Sequence, residues 1–185
     1  MLQPRNVTLI CIVLLAAALR VLPHPDNFTP IAALALFAGA NFARGWIGAI
    51  VAFAAWQLSN VLLGFAPHPV HFFVCASILA AVSIGSRLQK RQSVPRVAGA
   101  TIAGSLVFFM LTNFGFWLTS GIYPMTADGL LTCYWKAIPF YRMALLGDLF
   151  YAAVLFGGFA FATCVVPQLR DPSSAIVAQQ KVSYN

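Results

Sequence analysis

A cysteine and a histidine four residues apart are the pair in this sequence best spaced for chemistry. Cys75 and His71 share one face of a predicted helix, because side chains at i and i+4 are neighbours on a helix surface. The spacing suits two metal ligands, or a thiol that an imidazole activates as a nucleophile. A zinc site needs about four ligands, and no further cysteine or histidine stands at motif spacing. A metal pair, a thiol enzyme and a packing role for Cys75 all stay open.

Three polar residues interrupt apolar stretches of the sequence. Asn60, Asn113 and Asp148 each lie about 8 Å from one end of a predicted helix, and Cys75 lies at a similar depth. Polar and ionisable groups inside a bilayer are costly unless they pair or line a cavity. We therefore predict that these residues form one polar ring. The alternative is that they only hydrogen-bond one helix to another.

Six apolar segments must position these residues. The chain of 185 residues is 61% hydrophobic and 8% charged, whereas soluble domains carry about 25% charged residues. Most segments reach the ~20 apolar residues that a bilayer-spanning helix needs, but 30–42 is short and must be tilted, broken or packed inside the bundle. The predicted fold class is an all-α integral membrane protein. Its six transmembrane helices cover residues 6–22, 30–42, 46–65, 70–88, 96–120 and 142–166.

One long connection and one polar tail complete the predicted organisation. Residues 121–141 are predicted to be a loop, because Tyr123-Pro124 and Ile138-Pro139 should break helices. Cys133 would lie in this loop. Residues 1–170 form a single membrane domain, and residues 171–185 form a cytoplasmic tail.

Lysines and arginines near the segment ends set the predicted orientation. The formal net charge is +7, and most of the basic residues fall on the side of both termini, many of them in the 87–96 loop. The positive-inside rule therefore predicts a multi-pass protein of the bacterial inner membrane with both termini cytoplasmic. The basic loop is interpreted as facing anionic lipid rather than nucleic acid. Further candidates lie in or beside the outer loops above the polar ring: His24, His68, His71, Lys136 and Arg142.

A set of short motifs spans residues 20–160. They are RVLPHPDNFTP at 20–30 followed by IAALALFAGA, LTNFG at 111–115, Tyr123-Pro124, Cys133-Tyr134, and IPFYR at 138–142 leading into LLGD at 145–148. In combination they resemble a bacterial family of small predicted transporters. That family is similar to the substrate-binding S-components of ECF vitamin transporters, six-helix proteins with an outward-facing ligand pocket. The resemblance is closest to solitary cobalamin transporters that bind cobalt through a cysteine.

The resemblance implies a set of ligand contacts. Cys75 and His24 would ligate the cobalt of cobalamin, and Arg142 would contact the same ligand. Asn60 stands where the family would have an aspartate. A thiolate is a soft ligand that suits cobalt, and aromatic residues such as Tyr141 offer apolar area to a large corrin. The predicted ligand-binding residues are Cys75, His24, Arg142, Asn60, His71, Asn113, Asp148 and Tyr141.

The predicted function is uptake of a vitamin-like solute across the membrane, with cobalamin as the bound substrate and no tightly bound catalytic cofactor. The resemblance also implies docking on an ECF energising module through an Ala-x-x-x-Ala stripe. The first segment instead carries Ala16, Ala17 and Ala18 side by side, which weakens the expectation of that partner. The alternatives are an S-component-like transporter for another small ligand, and a membrane enzyme. Such an enzyme would use Cys75/His71 thiol chemistry, or would strip an axial ligand from cobalamin.

Overall fold

The computed structural model describes residues 3–170, which form six α-helices and two short 3-10 helices and contain no β-strand. Four helical spans are long and apolar enough to cross a membrane: Pro4–Val21, Gly45–Leu62, Val94–Ser120 and Ala127–Val165. The predicted all-α fold with six helices is confirmed, while the predicted tail 171–185 lies outside the described residues. The helices are α1 Pro4–Ala18 with its 3-10 extension Leu19–Val21, α2 Ile31–Asn41, α3 Gly45–Leu62, α4 Val70–Ser86, α5 Val94–Ser120, and α6 Ala127–Val165 followed by the 3-10 helix Pro167–Leu169.

Helix α2 is the centre of the bundle. Every residue from Ala32 to Asn41 is buried, and α2 contacts each of the five other helices. Its Phe37 packs edge-on against Phe156 and Phe159 of α6, with ring centroids 5.3 and 5.7 Å away. At eleven residues α2 is about 16 Å long, roughly half the thickness of a bilayer core. Of the three arrangements predicted for the short segment 30–42, packing inside the bundle is the one observed.

Two glycines bring α2 and α4 into backbone contact. A Cβ on Gly39 would lie 2.1 Å from the carbonyl oxygen of Val82, and a Cβ on Gly85 would lie 2.1 Å from the carbonyl oxygen of Leu36. Only residues without a side chain permit this approach, which is typical of closely packed helices in membrane proteins. The close contact anchors the outer helix α4 to the centre of the bundle.

The turn between α5 and α6 is shorter than predicted. Helix α5 ends at Ser120, and the next residue, Gly121, caps it in a left-handed conformation with φ of 68°. The indole N–H of Trp117 donates a hydrogen bond to the carbonyl oxygen of Pro124 at 2.9 Å. The prediction that Tyr123-Pro124 interrupts the helix is confirmed.

Helix α6 begins at Ala127, so the prediction of a loop over residues 121–141 was wrong for most of its length. The hydroxyl of Thr126 caps the helix by accepting a hydrogen bond from the backbone N–H of Gly129 at 3.2 Å. The prediction that Ile138-Pro139 breaks a helix was wrong, because Pro139 lies inside α6. A proline removes one backbone hydrogen bond, and in apolar bundles neighbouring helices compensate for that loss.

The early start of α6 changes the position of Cys133. Cys133 is a buried helical residue rather than an exposed loop residue, because Gly129, Cys133 and Ala137 recur every four residues on one buried face. With 39 residues α6 is about 58 Å long, well beyond a bilayer core of about 30 Å. Its first half therefore supplies a helical wall beside α5 where a loop was predicted.

Candidate functional site

A cavity of about 450 Å³ lies between α4, α5 and α6. This volume falls in the range of about 300–1,000 Å³ that is typical of small-molecule sites. Val70 and Val74 of α4 line one wall, and Asn27 and Tyr123 reach it from the two connections at the same end of the bundle. The other lining residues are Ser105, Phe108, Phe109, Thr112, Asn113 and Phe116 on α5, and Cys133, Lys136, Ala137, Phe140, Tyr141, Ala144 and Asp148 on α6.

Helical periodicity explains why these residues meet. The lining positions on α5 and on α6 follow one another at spacings of one, three or four residues, so each set forms one face of its helix. From Ser105 to Asn113 the α5 face extends about 12 Å along the helix axis. We define the solute cavity as this space, with its deep end at Ser105 and Asp148 and its rim at Asn27 and Lys136.

The deep end of the solute cavity contains a buried carboxylate and a buried hydroxyl. Asp148 is 5% exposed, and its Oδ1 accepts a hydrogen bond from the backbone N–H of Ala33 at 3.3 Å. Ser105 is also buried and lines the cavity, and its hydroxyl faces the side chains of Asp148 and Tyr141. Asp148 forms no ion pair with any described residue. Hydrogen bonds stabilise buried polar groups, so a ligand that donates a hydrogen bond to Asp148 or Ser105 would be favoured at this end of the cavity.

Aromatic rings and amide groups form the middle of the solute cavity. The ring of Tyr141 packs against Phe109 with centroids 4.7 Å apart. The side-chain amide of Asn113 donates to the carbonyl oxygen of Phe109 at 2.8 Å, which leaves its own oxygen as an acceptor. The thiol of Cys133 lies 3.6 Å from the carbonyl oxygen of Asn113. The middle of the cavity therefore offers flat apolar walls with a few directed polar groups.

Three of the eight predicted ligand-binding residues line the solute cavity, namely Asn113, Asp148 and Tyr141. The predicted polar ring is therefore brought together only in part. The other five do not line the cavity: Cys75, His24, Arg142, Asn60 and His71.

Asn60 binds an arginine of the same molecule. The Oδ1 of Asn60 accepts a hydrogen bond from Nη1 of Arg20 at 3.1 Å, and Arg20 also donates to the hydroxyl of Ser59. All three residues are buried. Because a buried guanidinium needs acceptors, Asn60 is occupied by a contact within the protein.

The Cys75/His71 pair is not joined by a hydrogen bond in the described chain. The ring of His71 packs edge-on against Trp56 with centroids 5.3 Å apart, and its Nδ1 accepts a hydrogen bond from the backbone N–H of His68 at 3.4 Å. Cys75 is half-buried and packs against the hydrophobic core, next in sequence to the cavity-lining Val74. Cys75 therefore lies beside the cavity wall rather than on it.

His24 and Arg142 lie at the surface of the bundle. His24 is half-buried in the connection between α1 and α2, and its Nδ1 lies 2.7 Å from the carbonyl oxygen of Leu22. Arg142 is exposed on α6. Among residues 3–170, no three histidine, cysteine, aspartate or glutamate side chains cluster as metal ligands.

Three polar residues of the solute cavity were not predicted as site residues: Asn27, Ser105 and Thr112. Lys136, which was predicted to lie above the polar ring, also lines the cavity. Ser105 lies eight residues before Asn113 and thus on the same helix face. This spacing could have identified Ser105 from the sequence, because it places Ser105 two turns away from Asn113 on the same helix face.

Comparison with known proteins gives one family. The model of DUF6580, a family of unknown function, matches residues 1–169, and the chain therefore belongs to that family. No curated protein and no solved structure matches the chain.

Proposed function

We propose that this member of the DUF6580 family is a multi-pass inner-membrane protein that binds a small organic solute in the solute cavity and takes part in its uptake. The observation that carries the proposal is the combination of aromatic walls with convergent polar groups in a cavity of about 450 Å³. The buried Asp148 and Ser105 add support, because polar groups at membrane depth usually line a substrate or ion pathway.

Membrane insertion with both termini cytoplasmic is the first part of the proposal. Large apolar side chains cover the outside of the bundle, for example Phe72 at 80% exposed and Phe161 at 72% exposed. Water would make such a surface costly, whereas lipid covers it. The basic 87–96 loop then faces the cytoplasm, and the connection between α5 and α6 faces the periplasm.

Cysteine labelling tests this orientation. In a variant without the four native cysteines, Gln92→Cys should react with a membrane-impermeant maleimide only after the cells are opened. Met125→Cys in the same background should react in intact spheroplasts. The reverse pattern would overturn the orientation and, with it, the periplasmic solute cavity.

Cobalamin is the solute that the motif resemblance favours. A corrinoid is larger than the solute cavity, so it would fill the cavity only in part and extend over the rim. Cys75 would then approach cobalt from beside Val74, and His24 would approach from the neighbouring connection. A smaller vitamin-like solute, held entirely between the rim and Asp148, is the alternative that the cavity volume favours.

Ligand-dependent thermal stability tests solute binding. Purified protein in detergent is heated with cobalamin and with a panel of smaller vitamins and vitamin precursors. A ligand at 100 times its Kd should stabilise the fold by about 2.7 kcal/mol. Asn113→Ala should reduce this gain, whereas Thr119→Ala should not, because Thr119 also bonds a backbone carbonyl of α5 but does not line the cavity. Equal ligand-dependent stabilisation of both variants would show that the ligand binds outside the solute cavity.

A further inference from the structure

A second groove, of about 320 Å³, separates the first half of α5 from the second half of α6. We define the α5/α6 groove by its apolar and small lining residues, which include Val97 on α5 and Leu149, Ala153 and Gly157 on α6. No residue lines both this groove and the solute cavity. A Cβ on Gly157 would meet no atom within 4 Å, so the groove is open at this position.

The length of the groove matches one leaflet of a bilayer. Its lining residues on α6 run from Leu149 to Ala160 in a continuous stripe at spacings of one or three residues. Eleven residues correspond to about 16 Å along the helix, and half of a bilayer core of about 30 Å is one leaflet. The groove is therefore long enough for the upper part of an acyl chain that enters from one membrane surface.

Basic residues lie close in sequence to one end of the groove. Gln92 and Ser93 line this end, immediately before α5 begins. Four exposed cations lie within six residues of Gln92 in sequence, and no carboxylate of the described chain forms an ion pair with any of them. These cations are Arg87, Lys90, Arg91 and Arg96. An apolar groove with a cationic end is complementary to an amphiphile that carries a negative headgroup.

We infer that the α5/α6 groove holds one acyl chain of an anionic phospholipid from the cytoplasmic leaflet, with the phosphate among the basic residues near Gln92. The inference rests on the proposed membrane insertion and orientation. It is independent of which solute the cavity binds. The charge complementarity selects the headgroup, since the acidic residues within 3–170 are Asp26, Asp128 and Asp148, all outside this end of the bundle.

Native mass spectrometry with defined lipids tests the inference. Protein purified in detergent is mixed with phosphatidylglycerol or with phosphatidylcholine of identical acyl chains, and the lipid-bound fraction is measured for each. The parent should retain phosphatidylglycerol preferentially. Gly157→Leu fills the groove and should abolish most of this retention. Gly158→Leu is the matched control, because Gly158 also has open space around its Cβ position but does not line the groove.

A second pair of variants tests the headgroup contact. Arg91→Gln and Arg96→Gln should each lower the affinity for phosphatidylglycerol about fivefold, the effect expected of one basic residue near an anionic surface. Arg44→Gln is the control, because Arg44 is exposed at the same end of the bundle but lies in the connection between α2 and α3. It should leave lipid retention unchanged.

Two results would overturn the inference. The first is equal retention of phosphatidylglycerol and phosphatidylcholine by the parent. The second is that Gly157→Leu and Ala153→Leu each retain as much phosphatidylglycerol as the parent. Ala153→Leu fills the same groove, so it replaces Gly157→Leu in the test if the glycine variant does not fold. Thermal stabilisation by a solute should persist in a folded groove variant, so failure of the lipid site and failure of the solute site are distinguishable.

Discussion

The carboxylate of Asp148 on α6 accepts a hydrogen bond at 3.3 Å from the backbone N–H of Ala33 in the first turn of α2. Helix α2 follows Pro30, which supplies no side-chain cap. Asp148 therefore provides from another helix an acceptor and a negative charge for the free N–H groups at the start of α2. Because Asp148 also lines the solute cavity, one side chain couples the central helix to the proposed binding site.

Loss of the Asp148 carboxylate should destabilise the fold. We expect Asp148→Ala to lower the free energy of unfolding by about 1–2 kcal/mol, the usual cost of removing a helix cap. Asp148→Asn keeps an acceptor oxygen, so it should lower the free energy of unfolding by less than Asp148→Ala. Thermal unfolding in detergent measures the effect. Asp128→Ala is the control, because Asp128 is exposed in the first turn of α6. Equal losses for Asp128→Ala and Asp148→Ala would contradict a capping role.

Part of the candidate site could be predicted from the sequence, because polar residues stand out in apolar segments. Asn113 and Asp148 were found because such groups are costly inside a bilayer unless they pair or line a cavity. Asn60 meets the same criterion but pairs with Arg20, forty residues earlier in the chain. The sequence signal identifies a buried polar group but not its partner, because the partner depends on how α1 and α3 pack.

Helix boundaries were predictable wherever hydropathy alone decides them. The first five helices begin and end within a few residues of the predicted segments. The first half of α6 was missing from the prediction because Ile138-Pro139 was expected to break a helix. Packing of Cys133 and Ala137 against the bundle stabilises this half despite the proline. Tertiary contacts of this kind are not visible in the local sequence.

A single methyl group added at the contact between α2 and α4 should destabilise the fold. Gly85→Ala places a Cβ 2.1 Å from the carbonyl oxygen of Leu36, so the two backbones must separate. We expect a loss of about 3 kcal/mol or more, at the upper end of overpacking costs. Gly99→Ala is the control, because its Cβ meets no atom within 4 Å and it lies inside α5.

The control should change stability in the opposite direction. Alanine in a helix interior is about 0.5–1 kcal/mol more stable than glycine, so Gly99→Ala should raise the melting temperature slightly. The yield of monodisperse protein and the thermal midpoint measure both effects. A well-folded Gly85→Ala protein with the parental midpoint would show that α2 and α4 do not depend on direct backbone contact.

Asn60 and Asn113 should have separable roles. Asn60→Ala removes an acceptor from the buried guanidinium of Arg20, and hydrogen bonds to charged groups contribute about 1.5–3 kcal/mol. Asn60→Asp keeps an acceptor and adds an opposite charge, so it should retain stability. Asn113→Ala should leave stability nearly unchanged but reduce stabilisation by a solute. Thermal unfolding with and without ligand measures both quantities. A stable Asn60→Ala variant with impaired ligand binding would contradict a purely structural role for Asn60.

Two cysteine variants should distinguish cobalamin from a smaller solute. If Cys75 ligates the cobalt of cobalamin, Cys75→Ser replaces a soft sulfur donor by a hard oxygen of nearly the same size. The visible absorption spectrum of bound cobalamin should then change, and the affinity for cobalamin should fall strongly. Cys133→Ser is the control, because Cys133 lines the solute cavity and contacts the carbonyl oxygen of Asn113. We expect Cys133→Ser to keep the spectrum. Spectral titration of each purified variant with cobalamin makes the comparison. An unchanged spectrum and affinity in Cys75→Ser would leave Cys75 as a packing residue and favour a smaller solute held between Asn113 and Asp148.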